Sequence, residues 1–395
     1  MKRVFGNEAK YVQEVLDTEF RSSKGSIMTQ RLEQQFAKLY GMEFAIAFIN
    51  GTATMHALLE ARGIGPGDEV IVPPLTMSAT TFAVLQCNAT PIFADVDGDT
   101  FQISAASVAE RMTPRTKGII TVALYGLSPD MDPIMGLADK AGVFVIEDNA
   151  QCFLGRYKGR LAGTVGHAAS FSLQSSKHIT SGEGGLVITN DADLADRVRK
   201  VQSLGYAGVG AKKGKITKAD IQDPTYERHV TMGWNYRMPE LCAAAALAQL
   251  ENITALVDGR IAAAKRLDAA VRECNWLIPQ RVHDGDVNSY WTYVVQLRHP
   301  DLTWNAVRDK FRSLGGDGIY GAWQLTYLEP MFKNLNLLGR ERFIAPETKA
   351  TYRRGLCPVA EDVQPRIMQF KTNYWNTADA ERQAQILHDT IRALS

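Results

Sequence analysis

The segment "FSLQSSKHITSGEGG", Phe171 to Gly185, sets a single lysine, Lys177, among serines, threonine and glycines. A lysine amine condenses with an aldehyde only when it is neutral, and an unperturbed lysine has a pKa of about 10.4. Active-site lysines are drawn down to roughly 7 to 8 by desolvation and by neighbouring positive charge. A pocket walled by Ser172, Ser175, Ser176, Thr180 and glycines, at the end of an apolar strand, would give Lys177 small neighbours and close backbone. The alternative for the same window is an exposed loop lysine.

Two further segments bear on that choice. "VIEDNAQ" places Asp148 at the carboxyl end of an apolar strand, where open α/β sheets put ligand-binding groups. A carboxylate there can hold a pyridine nitrogen protonated and keep the ring an electron sink; the competing role is a helix N-cap. "INGTATMHALL" reads as strand, Asn50-Gly51-Thr52, helix. Amides at a glycine-opened helix start, with a threonine hydroxyl beside them, make a phosphate site, and otherwise an ordinary tight turn. A phosphate cup, a ring-nitrogen carboxylate and an aldehyde-binding lysine, in that order, suit pyridoxal 5'-phosphate. No GxGxxG follows a strand, and neither a GxxxxGK[ST] loop nor an HExxH pair occurs, so nicotinamide, nucleotide triphosphatase and zinc-peptidase readings lose their best support.

These residues need a scaffold, and the chain supplies an alternating one. "MTQRLEQQFAKLYG" spaces Leu32, Phe36 and Leu39 helically and ends at Gly41, a candidate left-handed cap. Strands are expected at "AIAFI", "EVIVP", "PIFADV", "GIITVAL", "VFVIED", "ASFSL" and "GLVITN", with helices from about Thr52 and near Ser78–Gln86, Ser104–Met112, Met131–Ala141 and Leu194–Ser203. This alternation predicts an α/β fold with a mainly parallel sheet, and the continuous apolar strands predict burial on both faces. The glycine- and lysine-rich stretch from Gly205 to Val230 has no apolar period and reads as a long exposed loop. Helix is expected from Trp234 to about Arg272, then the strand "YWTYVVQL", a helix over Asn305–Leu314 and a terminal helix from Ala378. The predicted organisation is a large domain over 1–254, including an N-terminal helical arm, and a smaller C-terminal α/β domain over 255–395.

Bulk properties exclude several classes. The 395 residues are 45% apolar and 22% charged with a formal net charge of +1, so no global field favours nucleic acid or an anionic membrane. "MKRVFGNEAKYVQEV" lacks the apolar stretch of a signal peptide, and the apolar "LCAAAALAQL" is too short for a bilayer. Five scattered cysteines without a CxxC pair indicate a reducing compartment, hence a cytoplasmic location, and no zinc site.

With these segments in view, the chain resembles the DegT/DnrJ/EryC1/StrS sugar aminotransferases, within the fold type I pyridoxal phosphate enzymes, over most of its length. The resemblance is carried by "GTATMHALLEARGIGPGDEVIVPPLT", "TPIFADVD", "VIEDNAQCFLGRYKGRLAGTVGHAASFSLQSSKHITSGEGGLVITN" and "GWNYRMPELCAAAALAQL". It implies that Lys177 binds the cofactor aldehyde covalently, that Asp148 pairs with the pyridine nitrogen and that Gln151 lies against the ring. Gly51, Thr52 and Ser172 would hold the phosphate, with Gln174 assisting. In "GWNYRM", Asn235 resembles a residue lent across a homodimer interface to the neighbour's phosphate, and Arg237 would lie near the same shared site.

Two departures stand out. Met77 occupies the position where the family usually sets an aromatic over the ring; a thioether packs on a ring face as well. His178 adjoins Lys177, and a related branch of 3-dehydratases, working with pyridoxamine phosphate, has histidine in place of the lysine itself. Counting back from "GEGG" gives Lys177 the lysine position, which favours transamination. Glutamate or glutamine would then leave the cofactor as pyridoxamine 5'-phosphate, which aminates a keto sugar, most commonly nucleotide-linked in this family. The alternatives are amination of a keto-cyclitol of the inosose type, suggested by Gln174, a sugar 3-dehydratase, or a regulatory protein that binds cofactor without turnover. Arg237, His178, Trp323 and Tyr327 are the candidates for the substrate pocket, with core packing as the competing role for the two rings. Lys212, Lys213, Lys215 and Lys218 would meet a diphosphate or else form a solvated run.

Overall fold

Short apolar strands separated by amphipathic stretches bury most efficiently as a sheet with helices on both faces, and the computed structural model, which describes residues 3–21 and 27–395, has that architecture. The strands are β1 (Phe44–Phe48), β2 (Glu69–Val72), β3 (Thr90–Phe93), β4 (Thr116–Val122), β5 (Phe144–Asp148), β6 (Arg156–Tyr157), β7 (Arg160–Leu161), β8 (Ala168–Ser172), β9 (Gly185–Thr189), β10 (Leu277–Pro279), β11 (Thr292–Leu297), β12 (Tyr320–Gly321) and β13 (Ile367–Lys371). Seven of them form the main sheet in the order β1-β9-β8-β5-β4-β2-β3. β9 runs antiparallel to both neighbours, and every other pairing is parallel. Six strands therefore end on the same edge, which gathers their carboxyl-terminal residues into one crevice.

Both faces are covered, as the unbroken apolar strands require. β1, β2, β5, β8 and β9 are buried at every residue. Successive residues point to opposite faces: Ile120, Val122 and Ile146 enter the core beneath the helices Gly51–Ala61 and Ala192–Gln202, while Ile119 and Val145 join a separate cluster with Met131, Ile134 and Ala138. Toward the β1 edge the opposite face is covered by the helices Met28–Tyr40 and Glu240–Leu250, whose Leu32, Phe36, Ala244 and Leu247 are wholly buried. Gly41 closes the first of these at φ 65°, the left-handed cap its position predicted.

A second, antiparallel sheet runs β10-β11-β13-β12. The helix Ile253–Val271 links the two: Ile253, Leu256 and Val257 pack in the large-sheet core, and Ala264, Leu267 and Val271 in the small one. The chain then returns, with Tyr327, Phe332, Tyr352 and Cys357 packing against the large-sheet core. The Gly205–Val230 stretch is not wholly irregular. Thr217 and Asp220 form a reciprocal capping box that nucleates a short helix, Lys218–Gln222, a local signal that outweighs the missing apolar period. Among the described residues no single helix is long and apolar enough to cross a membrane.

Candidate active site

The crevice at the carboxyl edge is built by three strand ends and one helix start. β5 delivers Asp148, β8 delivers Ser172, and β1 leads through Asn50 into the helix Gly51–Ala61. Asn50 caps that helix by accepting the Ala53 amide at 2.8 Å, which leaves the first amides, at Gly51 and Thr52, directed beyond the helix start. Close approach here depends on two glycines. A Cβ at Gly51 would come within 3.0 Å of the Ser172 Cβ, and one at Gly185, the partner of Ser172 across β8 and β9, would lie 2.6 Å from the Asn50 carbonyl oxygen. No other residue lets the strand end, the turn and the helix start share this space.

Gly51, Thr52, Met77, Asp148, Gln151, Ser172, Gln174, Lys177 and Trp323 all line one cavity of about 420 Å³, so residues spread over the chain meet in a single site. Asp148 is 4% exposed; its Oδ2 accepts the Thr80 hydroxyl at 2.9 Å and its Oδ1 the Ala150 amide at 3.1 Å. Burial pushes its pKa up, while these two donors and the nearby Lys177 charge pull it back. The Lys177 amine lies 4.7 Å from the ring centroid of Trp291, and its pKa is pulled down to about 8, first by burial and then by the charge of Arg260, against the opposing pull of Asp148 and Glu183. Gln151 accepts the Tyr125 amide at 2.8 Å, which fixes its side chain beside Asp148. Gln174 folds back on its own turn, its Oε1 accepting the amide and hydroxyl of Ser176 at 2.8 and 2.7 Å. Met77 is half exposed at the mouth.

Four candidates lie elsewhere within this chain. His178 is fully buried; its Nε2 donates to the Ser289 carbonyl at 2.9 Å and its ring packs on Phe153, so it faces away from the cavity although Lys177 faces into it. Tyr327 is also fully buried, its hydroxyl donating to Glu361 at 2.6 Å and its ring packed on Phe93, which is the core role left open for it. Arg237 lines a separate cavity of about 540 Å³ with Lys212, Lys213, Lys215 and Lys218. Asn235 is exposed and bridges to Ser203, outside the lining of the Lys177 cavity. Thr80, Glu183 and Trp291 also line the cavity and carry no local sequence signal.

The fold and site together define an α/β enzyme with a low-pKa amine and a buried carboxyl sharing a cavity at a helix N-terminus. Residues 4–370 match the DegT/DnrJ/EryC1/StrS aminotransferase family, and the chain belongs to it. It is an aminotransferase. It is 40% identical over 301 residues to GDP-perosamine synthase of Caulobacter vibrioides, covering 75% of this chain and 76% of that protein. It is 33% identical over 371 residues to L-glutamine:2-deoxy-scyllo-inosose aminotransferase of Streptomyces lividus, covering 91% and 86%. The X-ray structure of an aminotransferase from Psychrobacter cryohalolentis matches with a TM-score of 0.85 at 29% identity, over 98% of this chain and 97% of that one.

Proposed function

We propose that the protein is a pyridoxal phosphate-dependent transaminase that moves an amino group from glutamate or glutamine to a ketone on a nucleotide-linked sugar, acting in the cytoplasm as a homodimer. The observation that carries this reading is the meeting of Lys177 and Asp148 in one cavity, beside a helix start kept open by Gly51 and Gly185. The residues present fit the cofactor: the amides of Gly51 and Thr52 with the Ser172 hydroxyl for its phosphate, Asp148 for its ring nitrogen, Gln151 beside the ring, and Lys177 for its aldehyde. When bound, that group supplies a carbonyl to carry the amino group and a ring that spreads the charge left when a proton is removed.

The chain's own residues do the rest. Lys177, neutral in a useful fraction of molecules, would take the proton from the donor carbon that bears the amino group and deliver it to the former aldehyde carbon on the other side of the transferred nitrogen. Asp148, whose carboxylate form is favoured by the Thr80 hydroxyl, the Ala150 amide and the Lys177 charge against the cost of burial, would stabilise positive charge on the ring nitrogen. The walls formed by Trp291 and Trp323, stacked 6.1 Å apart, narrow the mouth and limit water. An amine with a pKa of about 8 is mostly ammonium at neutral pH. The rate at which the cofactor-free protein captures pyridoxal phosphate, followed by absorbance, is therefore expected to rise about tenfold per pH unit below pH 8 and to level off above it.

A sugar nucleotide is favoured over a free sugar by the cluster of Lys212, Lys213, Lys215, Lys218 and Arg237. Lys213 and Lys215 are paired with Asp220 and Glu240, so the cluster is only partly neutralised. In the proposed dimer this cavity, with Asn235, serves the neighbour's site. Several relatives named GDP-perosamine synthase support this substrate class. The keto-cyclitol reading draws on the inosose aminotransferase match, which spans more of the chain. Protein loaded with pyridoxamine phosphate and offered a panel of nucleotide-linked keto sugars and keto-cyclitols is expected to regain the aldehyde form with the former and yield an aminated product by mass. Regain only with a cyclitol would move the assignment to the second reading, and a deoxy product without amination to a dehydratase.

A further inference from the structure

A fully buried guanidinium is ordinarily matched by a carboxylate. Arg260, on the helix Ile253–Val271, is 2% exposed and has no carboxylate partner among the described residues. Its Nη2 donates to the carbonyls of Ser176 and Lys177, both at 3.1 Å, and its Nη1 to the Trp291 carbonyl at 2.8 Å and the Thr372 hydroxyl at 3.2 Å. The first two carbonyls belong to the turn that presents the amine, the third to the residue whose ring faces it, and Thr372 directly follows β13. One side chain thus ties the Lys177 turn to the small sheet. The Lys177 carbonyl also accepts a bond from Arg3 at 2.8 Å, whose other terminal nitrogen donates to Ser175 at 2.6 Å.

We propose that Arg260 is a positioning residue for Lys177: its planar fork fixes the backbone from which the amine projects, and its uncompensated charge behind that backbone disfavours a second cation at the amine. The proposal rests on the reading of Lys177 as the reactive amine. The charged groups facing Lys177 divide cleanly. Asp148 and Glu183 favour the ammonium form, Arg260 opposes it, and the adjoining His178, buried, is held neutral with its pKa pushed well down. Arg260 itself is pushed down by burial to about 9 and stays a cation at neutral pH. Lysine in its place would keep a charge but lose the fork whose one arm holds the Ser176 and Lys177 carbonyls while the other holds the Trp291 carbonyl and the Thr372 hydroxyl.

The test uses the full-length chain freed of cofactor. A brief pulse of acetic anhydride at a series of pH values, with acetylation of Lys177 read by peptide mass against the exposed Lys140, gives the protonation midpoint of the amine. The wild type is expected near 8. Arg260→Gln is expected to raise the midpoint by about one unit, so that Lys177 labels about tenfold more slowly at pH 7. Arg260→Lys is expected to hold the midpoint and lower kcat with little change in KM. An unchanged midpoint in folded Arg260→Gln protein overturns the charge role. Should that variant not fold, Arg260→Lys decides, and wild-type kcat in it overturns the fork role. Wild-type Lys177 that labels in parallel with Lys140 would be a different failure, because it removes the reactive-amine reading on which the proposal stands.

Discussion

Replacing Lys177 with alanine is expected to cut turnover by about 10⁴-fold or more and to abolish the visible absorbance of bound pyridoxal phosphate, while the variant freed of cofactor melts no lower than wild type freed of cofactor. On the proposed reading the activity loss follows from removing the covalent hold and the proton carrier in one step, and a positioned acid–base group alone contributes about 10² to 10⁴. The stability half is less intuitive. The fold uses the Lys177 backbone, not its amine: the amide donates to the Gln174 carbonyl at 3.0 Å, and the carbonyl accepts from Arg3 and Arg260. Alanine keeps all three bonds. The buried amine is itself a cost. Its pKa falls to about 8 in the folded chain, so the ammonium form is disfavoured there relative to the unfolded chain. That penalty, on the order of 3 kcal/mol, is complete below pH 8 and fades as the pH rises toward 10.5, so Lys177→Ala should gain most in melting temperature at neutral pH. A variant that lost activity and also melted well below wild type would assign the lysine a structural role instead.

The site was legible where chemistry and local punctuation coincide. Asp148 ends an unbroken apolar strand and Gly51 opens a helix after one, so a short window fixed both their types and their places in the crevice. Lys177 was readable only together with them, since its own window also suits a surface loop. What stayed hidden is long-range. Thr80 meets Asp148 across 68 residues and Arg260 meets Lys177 across 83, and neither pairing leaves a trace in its own segment. His178 and Tyr327 show the converse error, in which a residue type suited to catalysis or sugar stacking is spent on the core. One step along the chain from Lys177 turns the side chain from the cavity to Phe153. β13 is hard to read in the sequence because "IMQFK" is only five residues long and directly follows a proline-interrupted turn, yet it sits between β11 and β12 in the small sheet.

Asp148→Asn is the sharper test of how the two groups divide the labour. The substitution is nearly isosteric, and both present contacts survive it: an amide oxygen accepts from the Ala150 amide, and the Thr80 hydroxyl, now 2.9 Å from Oδ2, can turn to accept from an amide nitrogen. Folding should be intact. What is lost is the negative charge, and with it, on the proposed reading, the means to hold a ring nitrogen protonated, so kcat is expected to fall about 10² to 10⁴-fold. The same charge favours the Lys177 ammonium. Its removal should therefore shift the Lys177 labelling midpoint below the wild-type value of about 8, making the amine neutral more often at pH 7. Turnover and amine availability then move in opposite directions in one variant. If activity instead rose or fell with the fraction of neutral Lys177, Asp148 would act through the lysine, and its assignment to the cofactor ring would fail.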